Sequence, residues 1–180
     1  MEKKILATIE EAVHNGDTAG ANVLVIKDGK ESAYCGYGMR DIENRLPIER
    51  DTIFRLYSQT KPITAAAAVS LMEKGKLDAW LSDYLPEYAV SYVRRNGERV
   101  PAHKHITVGD LLNMTSGIPY PCEDSEGGKH SGAVFWEIEQ KLYSDSPVTT
   151  AEFARKMSEG ELCFEPGERF MYGASADVLG

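Results

Sequence analysis

Ser58 and Lys61 are the residues whose type and spacing suggest chemistry, because Ser58-Gln59-Thr60-Lys61 stands at the start of a predicted helix. Side chains three positions apart lie on the same side of a helix, so the amine can reach the hydroxyl. A serine hydroxyl is a weak nucleophile that needs a neighbouring base, and a lysine in a dry pocket can lose its proton and become that base. Ser58 also stands at the expected N-cap, where free N–H groups and the positive helix end favour an oxyanion. The pair therefore predicts acyl transfer by an activated serine.

The serine–lysine spacing is weak evidence when it stands alone. Twelve serines and eleven lysines in 180 residues give about 0.7 matches by chance. A helix cap followed by a surface lysine explains the bare spacing better than catalysis does. A nucleophile at Ser58 therefore depends on the surrounding sequence.

Apolar periodicity and capping residues predict a mostly helical chain that starts with one helix and one hairpin. The Asp28-Gly29 turn is expected to join strands 23–26 and 33–37, and Asn96-Gly97 indicates a second, small charged hairpin or a surface excursion. The predicted helices cover residues 5–13, 64–74, 107–117, 133–143 and 149–160.

Several polar segments are predicted to lie at the protein surface. An acidic group around Gly127-Gly128 is predicted to be a solvated surface or a mobile loop near a site mouth. Its members are Glu123, Asp124 and Glu126. His103-x-His105 has no third ligand at useful spacing, so we expect neither a metal nor any other cofactor.

Composition and charge exclude several classes of protein. With 42% apolar and 27% charged residues, the chain is neither collagen-like nor largely disordered. The net charge of −8 disfavours nucleic acid and anionic membranes as partners. No apolar stretch reaches the roughly 20 residues needed to span a bilayer, and no apolar signal core follows Met1. We therefore expect a cytoplasmic chain whose three cysteines are free thiols.

Four segments in order resemble the β-lactamase-related serine hydrolases, which include class C β-lactamases, D-Ala-D-Ala carboxypeptidases and their esterase relatives. Chance does not readily place four such motifs in one order. The segments are TIFRLYSQTK at 52–61, LMEKGKLD with YLPE at 71–78 and 84–87, ITVGDLLNMTSGI at 106–118 and PGERFMY at 166–172.

The resemblance implies a role for each matched residue. Ser58 would be the nucleophile, Lys61 would take or relay its proton, and Tyr172 would complete the base pair and protonate the leaving group. Without the resemblance, Tyr172 is simply a packed aromatic residue. Ala174 stands at the substrate-binding position where β-lactamases of this group carry an asparagine, and an alanine side chain donates no hydrogen bond. Esterase relatives often lack that asparagine and end the segment with Asp-Val-Leu-Gly, as residues 177–180 do.

The resemblance also implies the fold. We expect an α/β (α+β) chain with the β-lactamase/transpeptidase-like fold, an antiparallel sheet flanked by helices and a helical subdomain. Residues 1–57 would hold the first helix and hairpin, and residues 58–180 the mostly helical part with the motifs. The family's later strands and its Lys/His-x-Gly motif are not matched, so we interpret the chain as an incomplete domain from the N-terminal side of a longer hydrolase.

The expected function is that of a serine hydrolase that forms an acyl-enzyme on a small ester or amide, with esterase chemistry favoured. One alternative is a β-lactamase or D-Ala-D-Ala peptidase acting on β-lactams or peptides. The other is a non-catalytic binding protein or an inactive fragment on the same fold. Expected partners are the small-molecule substrate and either the missing C-terminal half or further copies of the chain.

Overall fold

The computed structural model describes residues 1–77, 79–123, 125–142 and 144–180. The described chain forms two compact units, Met1–Leu56 and Tyr57–Gly180. The expected acidic residue Asp124 and the predicted helix end at Tyr143 lie outside the described residues.

The first unit is a helix and a three-stranded antiparallel sheet. Its elements are α1 (Glu2–His14), β1 (Gly20–Lys27), β2 (Lys30–Asp41) and β3 (Leu46–Pro47), with the strands in the order β1-β2-β3. Asp28 and Gly29 both have positive φ, as a two-residue hairpin turn requires. The predicted first helix and hairpin are thus present.

The second unit is mostly helical. Its elements are α2 (Thr60–Glu73), β4 (Tyr92–Arg95), β5 (Glu98–Pro101), α3 (Val108–Leu112), α4 (Glu126–Leu142), α5 (Thr150–Met157) and α6 (Ser175–Leu179). Strands β4 and β5 form an antiparallel hairpin at Asn96-Gly97, as predicted. Capping boxes start α3 and α5, where Thr107 and Thr149 each bind a backbone N–H three residues on. The core includes Ile106, Leu111, Ile118, Ile138, Met157, Ala174 and Val178.

The predicted ends of two helices need correction. Helix α4 begins at Glu126 and not at residue 133, so Gly127-Gly128 is helical and buried, and the alternative of a mobile loop there is wrong. Glu123 and Glu126 are exposed, in agreement with the prediction of a solvated acidic surface. These glycines allow close packing, because a Cβ at Gly127 would lie 2.6 Å from the carbonyl oxygen of Leu162. Helix α3 ends at Leu112 and not near Gly117, because Met114 adopts a positive φ that an α-helix excludes.

A buried ion pair supports the second unit. The carboxylate of Glu161 is only 3% exposed and accepts hydrogen bonds from Arg94 at 2.8 and 3.1 Å. Arg99 Nε lies 3.6 Å from the same carboxylate. The backbone N–H and C=O of Glu161 both bind the hydroxyl of Ser131 in α4. The pair and this hydroxyl therefore hold α4 against the β4–β5 hairpin.

Within the described residues, no helix is both long and apolar enough to cross a membrane.

Candidate active site

Ser58 lies in a 3₁₀ turn, Tyr57–Gln59, that leads into α2. Tyr57 has a φ of +49°, a conformation that costs a non-glycine residue free energy and turns the chain sharply before Ser58. The prediction that Ser58 caps α2 is wrong, because Gln59 is the N-cap and no side chain caps the helix. The Ser58 hydroxyl bonds two other side chains instead.

Tyr172 and Lys61 are those partners of Ser58. The Tyr172 hydroxyl donates a hydrogen bond to Ser58 Oγ at 2.7 Å, and Lys61 Nζ donates to the same oxygen at 3.5 Å. The Lys61 amine also lies 5.3 Å from the centre of the Tyr172 ring. The three residues assigned to catalysis from the sequence therefore meet in one cluster, with Ser58 exposed at its surface.

The backbone around Tyr172 explains how it reaches Ser58. Met171 and Ala174 donate their N–H groups to the carbonyl oxygens of Met114 and Ile118 at 2.9 and 3.1 Å. A Cβ on Gly173 would collide with the Ile118 carbonyl oxygen, so only glycine permits this approach. The segment 114–118 thereby sets the position of Tyr172.

Tyr120 and Asp177 belong to the same cluster, although the sequence reading did not single them out. Lys61 Nζ donates to the Tyr120 hydroxyl at 2.9 Å, and this hydroxyl donates to Asp177 Oδ2 at 2.6 Å. Asp177 Oδ2 lies 3.8 Å from Lys61 Nζ. The available signals were a tyrosine three residues after Gly117 and an aspartate inside the Asp-Val-Leu-Gly ending.

The groups of the cluster lower the pKa of Tyr172 and raise the pKa of Lys61. The hydrogen bond with Ser58 and the positive charge of Lys61 lower the pKa of Tyr172 below its usual value near 10. Burial lowers the pKa of Lys61, but the Tyr120 hydrogen bond and the Asp177 charge outweigh burial and leave that pKa raised. The arrangement therefore favours an ammonium on Lys61 beside a phenol whose pKa is lowered, whereas the sequence allowed a neutral lysine base.

Tyr120 is the less acidic of the two site phenols. Burial, followed by its hydrogen bond to the Asp177 carboxylate, raises the pKa of Tyr120 to about 12. Its hydroxyl therefore stays protonated at neutral pH and keeps donating to Asp177.

Ala174 is not at the surface of this cluster. Its side chain is fully buried in the core, and its N–H is bonded to Ile118. A cavity of about 500 Å³ lies beside Tyr120 and Tyr172 instead, and it includes Arg169 and Cys163 in its wall. No group of three or more His, Cys, Asp or Glu side chains that could hold a metal ion occurs within the described ranges.

Comparison with known proteins gives related sequences and structures over almost the whole chain. The model of the family described as Beta-lactamase matches residues 5–180. Protein Rv1367c of Mycobacterium tuberculosis (strain ATCC 25618 / H37Rv) is 32% identical over 181 residues, covering 97% of this chain and 43% of the relative. The structure of EstCE1, described as a hydrolase with promiscuous acyltransferase activity, has 28% identity and a TM-score of 0.77, covering 98% of this chain and 44% of EstCE1.

A second solved structure, the octameric penicillin-binding protein homologue from Pyrococcus abyssi, is 31% identical with a TM-score of 0.66. The alignment covers 100% of this chain and 38% of that protein. The chain thus spans less than half the length of each of these relatives.

Proposed function

The chain belongs to the Beta-lactamase family, and on that premise we propose that it is a serine hydrolase that forms an acyl-enzyme through Ser58 on a small ester or amide. The observation that carries the proposal is the cluster in which Ser58 Oγ receives hydrogen bonds from Tyr172 at 2.7 Å and Lys61 at 3.5 Å. A nucleophile within hydrogen-bond reach of a titratable group, itself held by a third group, is the arrangement that activates a hydroxyl.

Tyr172 acts as the general base in this proposal, and Lys61 acts as the cation that stabilises its phenolate. The Tyr172 phenolate takes the Ser58 proton while Ser58 Oγ forms a bond to the acyl carbon. The tetrahedral intermediate collapses, the bond to the leaving group breaks, and Tyr172 returns the proton to the leaving group. Water then attacks the acyl-enzyme, Tyr172 takes its proton, and Ser58 recovers that proton as it leaves.

The start of α2 provides electrostatic support for the oxyanion. Residues 57–60 lie at the N-terminal end of a 14-residue helix, where N–H groups and the positive end of the helix dipole stabilise negative charge. Loss of one oxyanion donor costs about 10²–10³ in rate, so this support matters for acyl transfer.

Ester or amide chemistry is favoured over β-lactam hydrolysis. At the position where the resemblance expects an asparagine amide, this chain carries Ala174, which is buried and offers no side-chain hydrogen bond. The similarity to EstCE1, a hydrolase with promiscuous acyltransferase activity, supports the same choice.

Self-association is a further proposal, supported by the similarity to an octameric protein and checked by analytical ultracentrifugation.

Intact-protein mass spectrometry tests the proposal. The chain is exposed separately to a fluorophosphonate and to a penicillin, together with Ser58→Ala and the control Ser32→Ala, whose serine is exposed on β2. We expect one fluorophosphonate adduct in the wild type and in Ser32→Ala and none in Ser58→Ala. Circular dichroism confirms that each variant is folded.

Three outcomes decide between the candidates. Faster labelling by penicillin than by fluorophosphonate would favour a β-lactamase or D-Ala-D-Ala peptidase. An adduct that persists in Ser58→Ala would overturn the assigned nucleophile. A folded wild type that neither probe labels would favour a binding protein or an inactive chain.

A further inference from the structure

We propose that Tyr120 and Asp177 are positioning residues that hold Lys61 as an ammonium beside Tyr172 and Ser58. The inference rests on the proposed function, because it assigns two further groups to the same site. Neither residue is placed in contact with the reacting atoms.

The hydrogen bonds between these groups run in one direction. The Tyr120 hydroxyl gives its proton to Asp177 at 2.6 Å, so it faces Lys61 as an acceptor at 2.9 Å. An ammonium has three protons and can serve both Tyr120 and Ser58. A neutral amine could also donate to both oxygens, but it would leave the Asp177 carboxylate, 3.8 Å from Lys61 Nζ, without a facing positive charge. The chain from Lys61 through Tyr120 to Asp177 is therefore most favourable when Lys61 is charged.

Three elements fix the Lys61 amine in space. Lys61 projects from α2, Tyr120 lies in the segment after Gly117, and Asp177 lies on α6. The amine lies 5.4 Å from the centre of the Tyr120 ring and 5.3 Å from that of Tyr172. The Lys61 side chain is only 18% exposed, so the contacts of its amine with the two tyrosines are largely shielded from water.

The titratable groups that act on Lys61 are Tyr120 and Asp177 on one side and Tyr172 on the other. Burial alone would push the pKa of Lys61 down, towards a neutral amine. The Tyr120 hydrogen bond and the Asp177 charge reverse that direction, and the Tyr172 contribution has the same sign. Without the Tyr120–Asp177 pair, the Lys61 pKa would be lower. A smaller fraction of Lys61 would then be the ammonium that stabilises the Tyr172 phenolate.

Core packing keeps Asp177 in place. Ala174, Ala176 and Val178 on the same short segment are buried, and Ser175 Oγ lies 2.8 Å from Ser116 Oγ in the core. Asp177 is more exposed than these neighbours, with 37% of its side chain accessible. Its carboxylate therefore accepts the hydrogen bond from Tyr120, while the buried residues of α6 pack in the core.

The first experiment measures the charge state of Lys61 without reference to catalysis. Lysines labelled with ¹³C at Cε are titrated by NMR in the wild type, Tyr120→Phe and Asp177→Asn, with the Lys61 signal assigned by Lys61→Arg. We expect the Lys61 pKa to fall in both variants, because burial remains after its compensation is removed. Asp177→Glu, which restores the charge, should recover part of the shift.

The second experiment measures the pH dependence of fluorophosphonate labelling at Ser58. In Tyr120→Phe and Asp177→Asn we expect the alkaline limb to move to lower pH and the saturating labelling rate to fall about tenfold, as expected for losing a hydrogen bond to a charged group. The probe concentration for half saturation should change less than about twofold, because the pair positions Lys61 and does not bind the probe.

Matched controls come from the first compact unit, Met1–Leu56. Tyr34→Phe removes a buried hydroxyl that has no hydrogen-bond partner among the described residues, and Asp51→Asn removes an exposed carboxylate. Both should leave the Lys61 pKa and the labelling profile unchanged.

The outcomes separate this inference from the proposed function. Unchanged Lys61 pKa values in folded Tyr120→Phe and Asp177→Asn would overturn the positioning role, even if Ser58 is labelled normally. A wild type that is never labelled would overturn the proposed function, and the NMR titration would still decide whether the pair holds Lys61.

Discussion

The Tyr172 hydroxyl lies 2.7 Å from the Ser58 hydroxyl, although 114 positions separate the two residues. Hydrogen bonds from Met171 and Ala174 to the segment after α3 bring Tyr172 to this place. The contact therefore depends on the register between two loop segments, and a change in that register would separate the pair. Reactive geometry of this kind is sensitive to small displacements.

Replacing Tyr172 with phenylalanine tests its proposed role as the base. Tyr172→Phe keeps the ring and removes the hydroxyl, so the labelling rate of Ser58 by a fluorophosphonate should fall by about 10²–10⁴. The rate is followed by intact-protein mass spectrometry with Tyr34→Phe as the control. A rate within threefold of the wild type would show that another group takes the Ser58 proton.

The pH dependence of labelling follows from the two shifted groups. The Tyr172 pKa is lowered and that of Lys61 is raised. The active form has a Tyr172 phenolate and a Lys61 ammonium, so the rate should rise with pH through a pKa below 10 and fall only above 10.5. Rates measured from pH 6 to about 11.5 check both limbs. A decline that starts below pH 9 would contradict the charged state of Lys61.

Much of this organisation follows from local sequence. The hairpin at Asp28-Gly29 and the capping boxes at Thr107 and Thr149 are short-range signals, since each depends on residues within four positions. The resemblance extended these signals to the β-lactamase/transpeptidase-like fold class, which the family match and the similar solved structures confirm.

Other features could not be predicted because they depend on distant contacts. Ser58 does not cap α2, since a hydroxyl 114 positions away binds its oxygen. The two glycines at 127–128 look like a loop, yet tertiary packing against Leu162 and Cys122 places them in a helix. The link from Lys61 to Asp177 through Tyr120 joins three segments whose spacing has no local periodicity.

The buried Glu161 carboxylate should be important for stability. Glu161→Gln removes the charge that faces Arg94 and Arg99. Because both arginines keep some contact with water, the expected cost is that of hydrogen bonds to a charged group, about 1.5–3 kcal/mol. Urea denaturation should show this loss in the free energy of unfolding. Glu159→Gln is the control, because its pair with Lys156 is at the surface, where water and salt screen the attraction and little stability is lost. Equal losses of unfolding free energy in the two variants would show that the buried carboxylate of Glu161 stabilises the fold no more than a surface pair does.

Gly128 should tolerate no side chain, although it lies in a helix where alanine is normally preferred. A Cβ there would collide with Cys122 Sγ and lie 2.8 Å from the Cys122 carbonyl oxygen, which is backbone and cannot rotate away. Overpacking costs about 1–3 kcal/mol, whereas the gain in helix propensity is about 1 kcal/mol. Gly128→Ala should therefore lower the free energy of unfolding in urea.

Gly132→Ala on the same helix is the control. At Gly132 the nearest atoms lie 3.4 Å from the added Cβ, so this substitution should be neutral or stabilising. A free energy of unfolding for Gly128→Ala equal to that of Gly132→Ala would contradict the close packing of α4 against Cys122.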